Sequence, residues 1–128
     1  MAEAGYPEEL RYHPEHAWAD LDGDVATVGI TWFAQDALGE VVFFDPPALG
    51  ASVLAGQSCA ELESLKAVSD VIAPIGGEVV EVNAALEADA GIINEDPYGA
   101  GWLLKVRVND RAETAALLDA AGYAATLG

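Results

Sequence analysis

From Cys59 to Glu63 apolar and polar side chains alternate with the two-residue period of a strand, and Val71-Ile72-Ala73 is a short apolar run that Pro74 closes. The segment between them reads as a hairpin with Lys66 at its tip. A second hairpin is predicted upstream. Trp18-Ala19-Asp20-Leu21 leads into Asp22-Gly23, whose glycine accepts the positive φ of a type I′ turn, and Val25 to Ile30 supplies the returning strand. Thr31 is then placed to N-cap a short helix, Trp32 to Leu38, which Gly39 ends.

Beyond that helix the chain repeats itself. Gly39-Glu40-Val41-Val42 recurs as Gly77-Glu78-Val79-Val80, and Ala48-Leu49 as Ala85-Leu86, while Gln57 to Leu62 aligns with Gly101 to Val106. Lys66 falls at the seam between the copies. Two similar β units bury their apolar faces against each other, as a sandwich or flattened barrel with the seam hairpin exposed at one end. Val41-Val42-Phe43 and Val79-Val80-Glu81-Val82 are expected to supply the core. Pro46-Pro47 and Pro74 belong in turns, and Asn83 is placed to cap a brief helix through Ala88. Near the end, Asp110 and Glu113 have capping-box spacing, and Ala115, Leu117-Leu118 and Ala121 form an apolar stripe before Gly122. A C-terminal helical segment over 110–128, packed on the sheet, is therefore expected. Residues 1–10 carry few apolar anchors and are expected to form a loose N-terminal tail.

Composition narrows the setting. A chain of 128 residues that is 52% hydrophobic suits one domain. Cys59 is the single cysteine and has no internal disulfide partner, and the first residues lack a basic n-region and an apolar h-region, so a cytoplasmic location is expected. No apolar run approaches the roughly 18 residues that span a bilayer. The net charge of −17 repels phosphate backbones and anionic lipid, so neither nucleic acid nor a membrane surface is expected as a partner. Basic or locally basic protein partners fit better.

Against that acidity stand only two lysines, Lys66 and Lys105. A Schiff-base or general-base lysine needs a neutral amine near pH 7, whereas Glu61, Glu63 and Asp70 around Lys66 favour the ammonium. A tether asks only that the amine be reachable, and a hairpin tip provides that. Lys105, by contrast, alternates with Val106 and Val108 within a strand, so an arm on it would leave from the face of a sheet. Other constellations are weaker. Gly56-Gln57-Ser58-Cys59-Ala60 lacks the last glycine of a nucleophile elbow, and no histidine follows it. His13, Glu15 and His16 lie on a proline-containing loop without further ligands at metal-site spacing, so no metal is expected. Gly99-Ala100-Gly101-Trp102 has no third glycine at dinucleotide spacing.

The segment Glu63-Ser64-Leu65-Lys66-Ala67-Val68-Ser69-Asp70 resembles the lipoyl-lysine motif of glycine cleavage system H proteins. Similar family segments recur as Gly29-Ile30-Thr31 with Phe33-Ala34-Gln35, as Leu38 to Phe43, as Gly77 to Asn83, and as Asn94-x-Asp96-Pro97-Tyr98-Gly99-x-Gly101-Trp102. Gly50 and Gly77 stand where lipoyl domains carry glycines before and after the modified lysine. The resemblance implies a mainly β barrel-sandwich hybrid, lipoyl-domain-like, with a quasi-twofold repeat. It implies a non-catalytic carrier on which Lys66 holds lipoate in amide linkage, Glu63 helps a lipoate-attaching enzyme recognise the site, and Asp70 and His16 border the place where the arm docks. The implied partners are the pyridoxal-phosphate glycine decarboxylase (P protein), which loads a methylamine group, and the aminomethyltransferase (T protein), which unloads it. Dihydrolipoyl dehydrogenase (L protein) would reoxidise the arm.

Two positions depart from the family pattern. His16-Ala17-Trp18 replaces the usual His-Glu-Trp, whose glutamate borders the arm cleft, and Trp32 stands where aspartate is general. An H-like donor or relay of lipoate that is not active in glycine cleavage is the alternative these changes raise. A biotinyl carrier would place its lysine between two methionines, but Leu65 and Ala67 flank Lys66. A purely structural acidic β module would carry no adduct.

Overall fold

The structure is a computed structural model, and it describes residues 6–127. Among these residues nine strands form two sheets. β1 (Arg11–His13), β2 (Ala17–Asp22), β3 (Val25–Ile30), β5 (Ser52–Val53), β8 (Gly77–Val82) and β9 (Leu104–Val108) make a six-stranded sheet in the order β1-β2-β3-β9-β8-β5. β4 (Val41–Asp45), β6 (Ser58–Ser64) and β7 (Val68–Ile72) make a three-stranded sheet in the order β4-β6-β7. Every pairing is antiparallel. Val28 and Ile30 of β3, Val79 of β8 and Val106 of β9 meet Val41, Phe44, Leu62 and Val71 of the smaller sheet in one buried cluster. The molecule is thus the expected mainly β barrel-sandwich hybrid, with short helices on its periphery.

The repeat is visible in hydrogen-bonding register. β4 pairs Val41 with Ser64 and Phe43 with Glu63, skipping Val42. β8 pairs Val79 with Val106 and Glu81 with Lys105, skipping Val80. Each copy thus carries an irregularity after its first valine, which turns the strand's side chains. That explains a correction to the expected core. Val41 and Val79 are buried, but Val42 and Phe43 are exposed, and Phe44 takes the inward place. The register also equates Leu62 with Leu104 and Glu63 with Lys105, two residues away from the alignment expected from sequence.

Turns and caps follow local chemistry. The β2–β3 hairpin closes through Gly23 and Asp24, because Asp22 pairs with Val25. Only Gly23 of these two has positive φ, at 67°, which is the type II′ pattern rather than I′. α1 (Trp32–Leu38) is N-capped by Thr31, whose hydroxyl oxygen accepts from the Ala34 N–H, and Gly39 ends it. α2 (Ala85–Ala88) begins where the Asn83 side chain accepts the Ala85 N–H. α3 (Ile92–Glu95) follows.

The C-terminal segment is two short helices, α4 (Ala112–Ala115) and α5 (Ala120–Thr126), not one. Leu118 exchanges backbone hydrogen bonds with Tyr12 of β1 between them, and Asp119 caps α5 through the Gly122 N–H. Gly122 therefore lies inside a helix. Ala115 and Ala121 are exposed, and the side chain that α5 buries is Tyr123. The capping box is half formed: Asp110 accepts from Ala112, but Glu113 turns away to accept the Gly76 N–H at 2.8 Å. At the other terminus, residues 1–5 of the expected tail lie outside the described residues. Its remainder is packed rather than loose: Leu10 is buried, Tyr6 lies edge-on to Tyr12 and Tyr123, and Tyr12 donates to the Pro7 carbonyl.

Candidate functional site

Lys66 occupies the turn between β6 and β7, and the turn is built from underneath by Ser64. This buried hydroxyl accepts the backbone N–H groups of Lys66 and Ala67 at 3.2 and 3.1 Å, while the Ser64 N–H donates to the Ala67 carbonyl at 2.8 Å. Leu65 ties the turn sideways, donating to the Glu40 carbonyl. A seat for the lysine stem lies next to it. A Cβ placed on Gly39 would stand 3.2 Å from Lys66 Cε, so the bare glycine leaves room for the methylenes. Asn94 holds that seat: its amide donates to the Gly39 carbonyl and to Gln35, and its oxygen accepts the Val41 N–H. Glu61, Glu63 and Asp70 are strand residues rather than contacts of the amine. Among the described residues, the ion pairs are Lys105–Glu81 and Arg107–Glu78.

Glu63 faces outward, opposite Phe43 on one side and Val68 on the other. Asp70 stands on the same face, opposite Glu61, and accepts from the Ser58 hydroxyl at 3.2 Å. Asp70 and His16 both line a cleft of about 330 Å³ between α1, β7 and the loop before β2, whereas Lys66 and Glu63 do not. Ile30, Ala34, Leu38 and Val71 give this cleft apolar walls, with Glu15, His16 and Asp70 as its polar groups. An open depression of about 810 Å³ on the α2–α3 side carries Asp36, Glu40, Asp89 and Glu95 instead, a poor seat for an alkyl chain. Ala17 is buried at the start of β2 and lines the apolar cleft, so a glutamate there would add a carboxylate to it.

His16 is held from several directions. It is the one non-glycine of positive φ among the described residues, at 72°, in a region that costs such residues about 1–3 kcal/mol. Its N–H donates to His13, its carbonyl accepts from the Thr31 N–H, and its ring lies 4.7 Å from that of Phe33. Nδ1 is 2.7 Å from the Tyr123 hydroxyl, which is 2.8 Å from Thr31 Oγ1. Only one polarity uses every buried donor. Thr31 donates to Tyr123 and Tyr123 donates to Nδ1, which leaves the neutral ring its proton on Nε2. Burial holds the imidazole below its ordinary range, with Glu15 opposing, and pushes the Tyr123 phenol up to about 12.

The remaining sequence candidates are engaged elsewhere. His13 Nδ1 accepts the Glu15 N–H. Burial pushes the Cys59 thiol up to about 11, keeping it protonated. Trp32 donates its backbone N–H to the Tyr98 hydroxyl. Sequence reasoning missed Tyr123 and the seat formed by Gly39 and Asn94. The Thr31 cap and the Asn94-x-Asp96-Pro97-Tyr98 segment were visible, but their contacts span 92 and 55 residues.

Residues 10–128 match the family model described as Glycine cleavage H-protein. The chain is 53% identical over 119 residues to the glycine cleavage system H protein of Beutenbergia cavernae, covering 93% of this chain and 94% of that protein. It is 50% identical over 122 residues to that of Cronobacter sakazakii, covering 94% and 95%. The crystal structure of a glycine cleavage system H protein from Mycobacterium marinum superposes with a TM-score of 0.87 at 44% identity, covering 95% of this chain and 98% of that one. Likeness of this extent takes in the lysine turn, its glycine seat and the cleft alike, and the chain belongs to the glycine cleavage H-protein family.

Proposed function

We propose that this chain is the lipoyl carrier of a glycine cleavage system, a single carrier domain with lipoate in amide linkage on Lys66. The observation that carries the reading is the Lys66 turn: an exposed primary amine on a backbone that Ser64 fixes, with Gly39 leaving space for its stem. An amide-linked arm fits these residues, since the apolar-walled cleft begins at the neighbouring Ala67 and Val68. Lipoate supplies a dithiolane that accepts the methylamine group of glycine. The protein's part is to hold the attachment point out from the body, and to shelter the arm between visits beside Ile30, Leu38 and Val71, with His16 and Asp70 at its polar end.

The reading assigns no reaction to the chain itself. Loading falls to the glycine decarboxylase, unloading to the aminomethyltransferase and reoxidation to dihydrolipoyl dehydrogenase. Tethering keeps the arm at high effective concentration at each partner. The net charge of −17 favours partners with basic docking surfaces. Among the described residues, no helix is long and apolar enough to cross a membrane. The proposal places the carrier in the cytoplasm, where the Cys59 thiol stays reduced.

Reconstitution tests this. Lipoylated protein mixed with glycine decarboxylase and labelled glycine should take up label on the arm and pass it to the aminomethyltransferase. Lipoylated protein that takes up none would overturn the reading.

A further inference from the structure

Tyr123 is the side chain that α5 buries, and its hydroxyl is the middle member of a polar thread that runs from the interior to the cleft. Thr31 and Tyr123 are fully buried, whereas His16 is half-buried and lines the cleft. The phenol ring is firmly held. It stacks on Tyr12 with ring centres 4.9 Å apart and planes 12° from parallel, and Tyr6 meets it edge-on. The Asp119 cap and the backbone bonds between Leu118 and Tyr12 anchor the helix that carries it. A phenylalanine would fill the same space and keep those ring contacts. Packing therefore does not call for the hydroxyl, which bonds the one histidine that lines the cleft.

A neutral imidazole has two tautomers, and the bond at one nitrogen selects between them. Nε2 of His16 has no partner among the described residues, and the buried side-chain N or O without a partner among them is Thr114 Oγ1, so Nε2 is open rather than sealed in. We infer that Tyr123 is a positioning residue for the arm cleft: by donating to Nδ1 it keeps the His16 proton on Nε2, so that the histidine offers the cleft a hydrogen-bond donor rather than a lone pair. The inference rests on the carrier reading above. A donor there suits the carbonyl oxygen of an amide-linked arm. It does not suit an ammonium, so a cationic methylamine group on the arm falls to the carboxylates of Glu15 and Asp70 in the same cleft. The C-terminal helix thereby sets the polarity of a site that lies 107 residues away in sequence.

The test uses the full chain, first without lipoate. Long-range proton–nitrogen NMR above the histidine titration range should show His16 as a single tautomer, protonated on Nε2. Tyr123→Phe keeps the ring and removes the donor, so His16 should become a mixture of both tautomers. Tyr12→Phe is the control: it removes the hydroxyl of the stacking partner, which donates to the Pro7 carbonyl, and should leave His16 unchanged. A loss of stability alone moves neither nitrogen. The three proteins are then lipoylated, loaded with labelled methylamine by glycine decarboxylase, and separated from it. Water releases such a group from sulfur as formaldehyde and ammonia, leaving the thiol, so retention of label reports shelter of the arm. Tyr123→Phe should lose label about three- to tenfold faster than the other two, the range one hydrogen bond supports. A wild-type His16 protonated on Nδ1 overturns the inference, and that spectrum decides it where Tyr123→Phe fails to fold. So does an unchanged spectrum or unchanged retention in Tyr123→Phe, or a Tyr12→Phe protein that behaves like it. Wild-type protein that takes up no label would instead take down the carrier reading, and this role of Tyr123 with it.

Discussion

Lys66 and Lys105 belong to two related pairs of strands, and only Lys66 stands on a turn at the end of its pair. The β4–β6 and β8–β9 pairs share a register, with the same skipped residue after the first valine, and Glu63 occupies in one the place of Lys105 in the other. β9 is flanked on both sides, by β8 and β3, and Lys105 is engaged: its amine is 3.8 Å from Glu81 and 5.2 Å from the centre of the Trp102 ring. β6 is flanked as well, by β4 and β7, but Lys66 lies beyond its end, in the turn between Ser64 and Val68 that carries it off the sheet. Backbone setting, more than nearby charge, separates Lys66 from Lys105. Position within a copy sorts the valines: Val41 and Val79, the first of each pair, are in the core, while Val42 faces solvent.

The glycines that open the two copies give the largest expected effect, because they are glycines for different reasons. A Cβ on Gly77 would collide with the Arg107 carbonyl oxygen and press on Val106 in the adjacent strand. Gly39 has φ 86° and would meet only the far end of the flexible Lys66 stem. Gly77→Ala should therefore cost more than about 3 kcal/mol, in the range of severe overpacking, and Gly39→Ala about 1–2 kcal/mol of backbone strain. Urea denaturation that ranks them the other way would show the two copies to be misassigned.

Valines come next. Val79→Ala should cost about 1–3 kcal/mol through lost burial and a cavity, while Val42→Ala should stay within about 0.5 kcal/mol. Equal losses at both would restore the uncorrected core.

The alternation of Cys59–Glu63, the Thr31 cap and the turn at Lys66 were legible in the sequence, because each rests on residues within a few positions of one another. Val42 and Phe43 were misread because an irregularity in register is set by the partner strand, not by the run Val41-Val42-Phe43 itself. The C-terminal stripe failed for a similar reason: Leu118 finds its backbone partner in Tyr12, which breaks the helix in two. At the site, Lys66 was readable from its motif, but the cleft needs His16, α1 and β7 together. The bond from Tyr123 to His16 crosses 107 residues and leaves no local pattern.

A smaller effect concerns pH. Burial lowers the pKa of both His16 and His13 relative to their ordinary value. The unfolded chain then binds more protons between the folded value and about 6.5, so these groups make stability fall as pH drops through about 6.5 and level off below the folded pKa. His16→Asn, a residue that tolerates the left-handed backbone, should flatten part of that slope in denaturation series above the carboxylate range. An unchanged slope would show that His16 is not held neutral in the fold.

The most direct measurement is to treat the protein with a lipoate-attaching enzyme, ATP and lipoate, and to map the adduct by peptide digestion. One lipoyl group should appear, on the peptide containing Lys66, with none on Lys105. Lys66→Arg, which keeps the charge but offers no amine for an amide, should fold normally and gain no mass. A lipoyl group found on Lys105, or on the Lys66→Arg protein, would contradict the account.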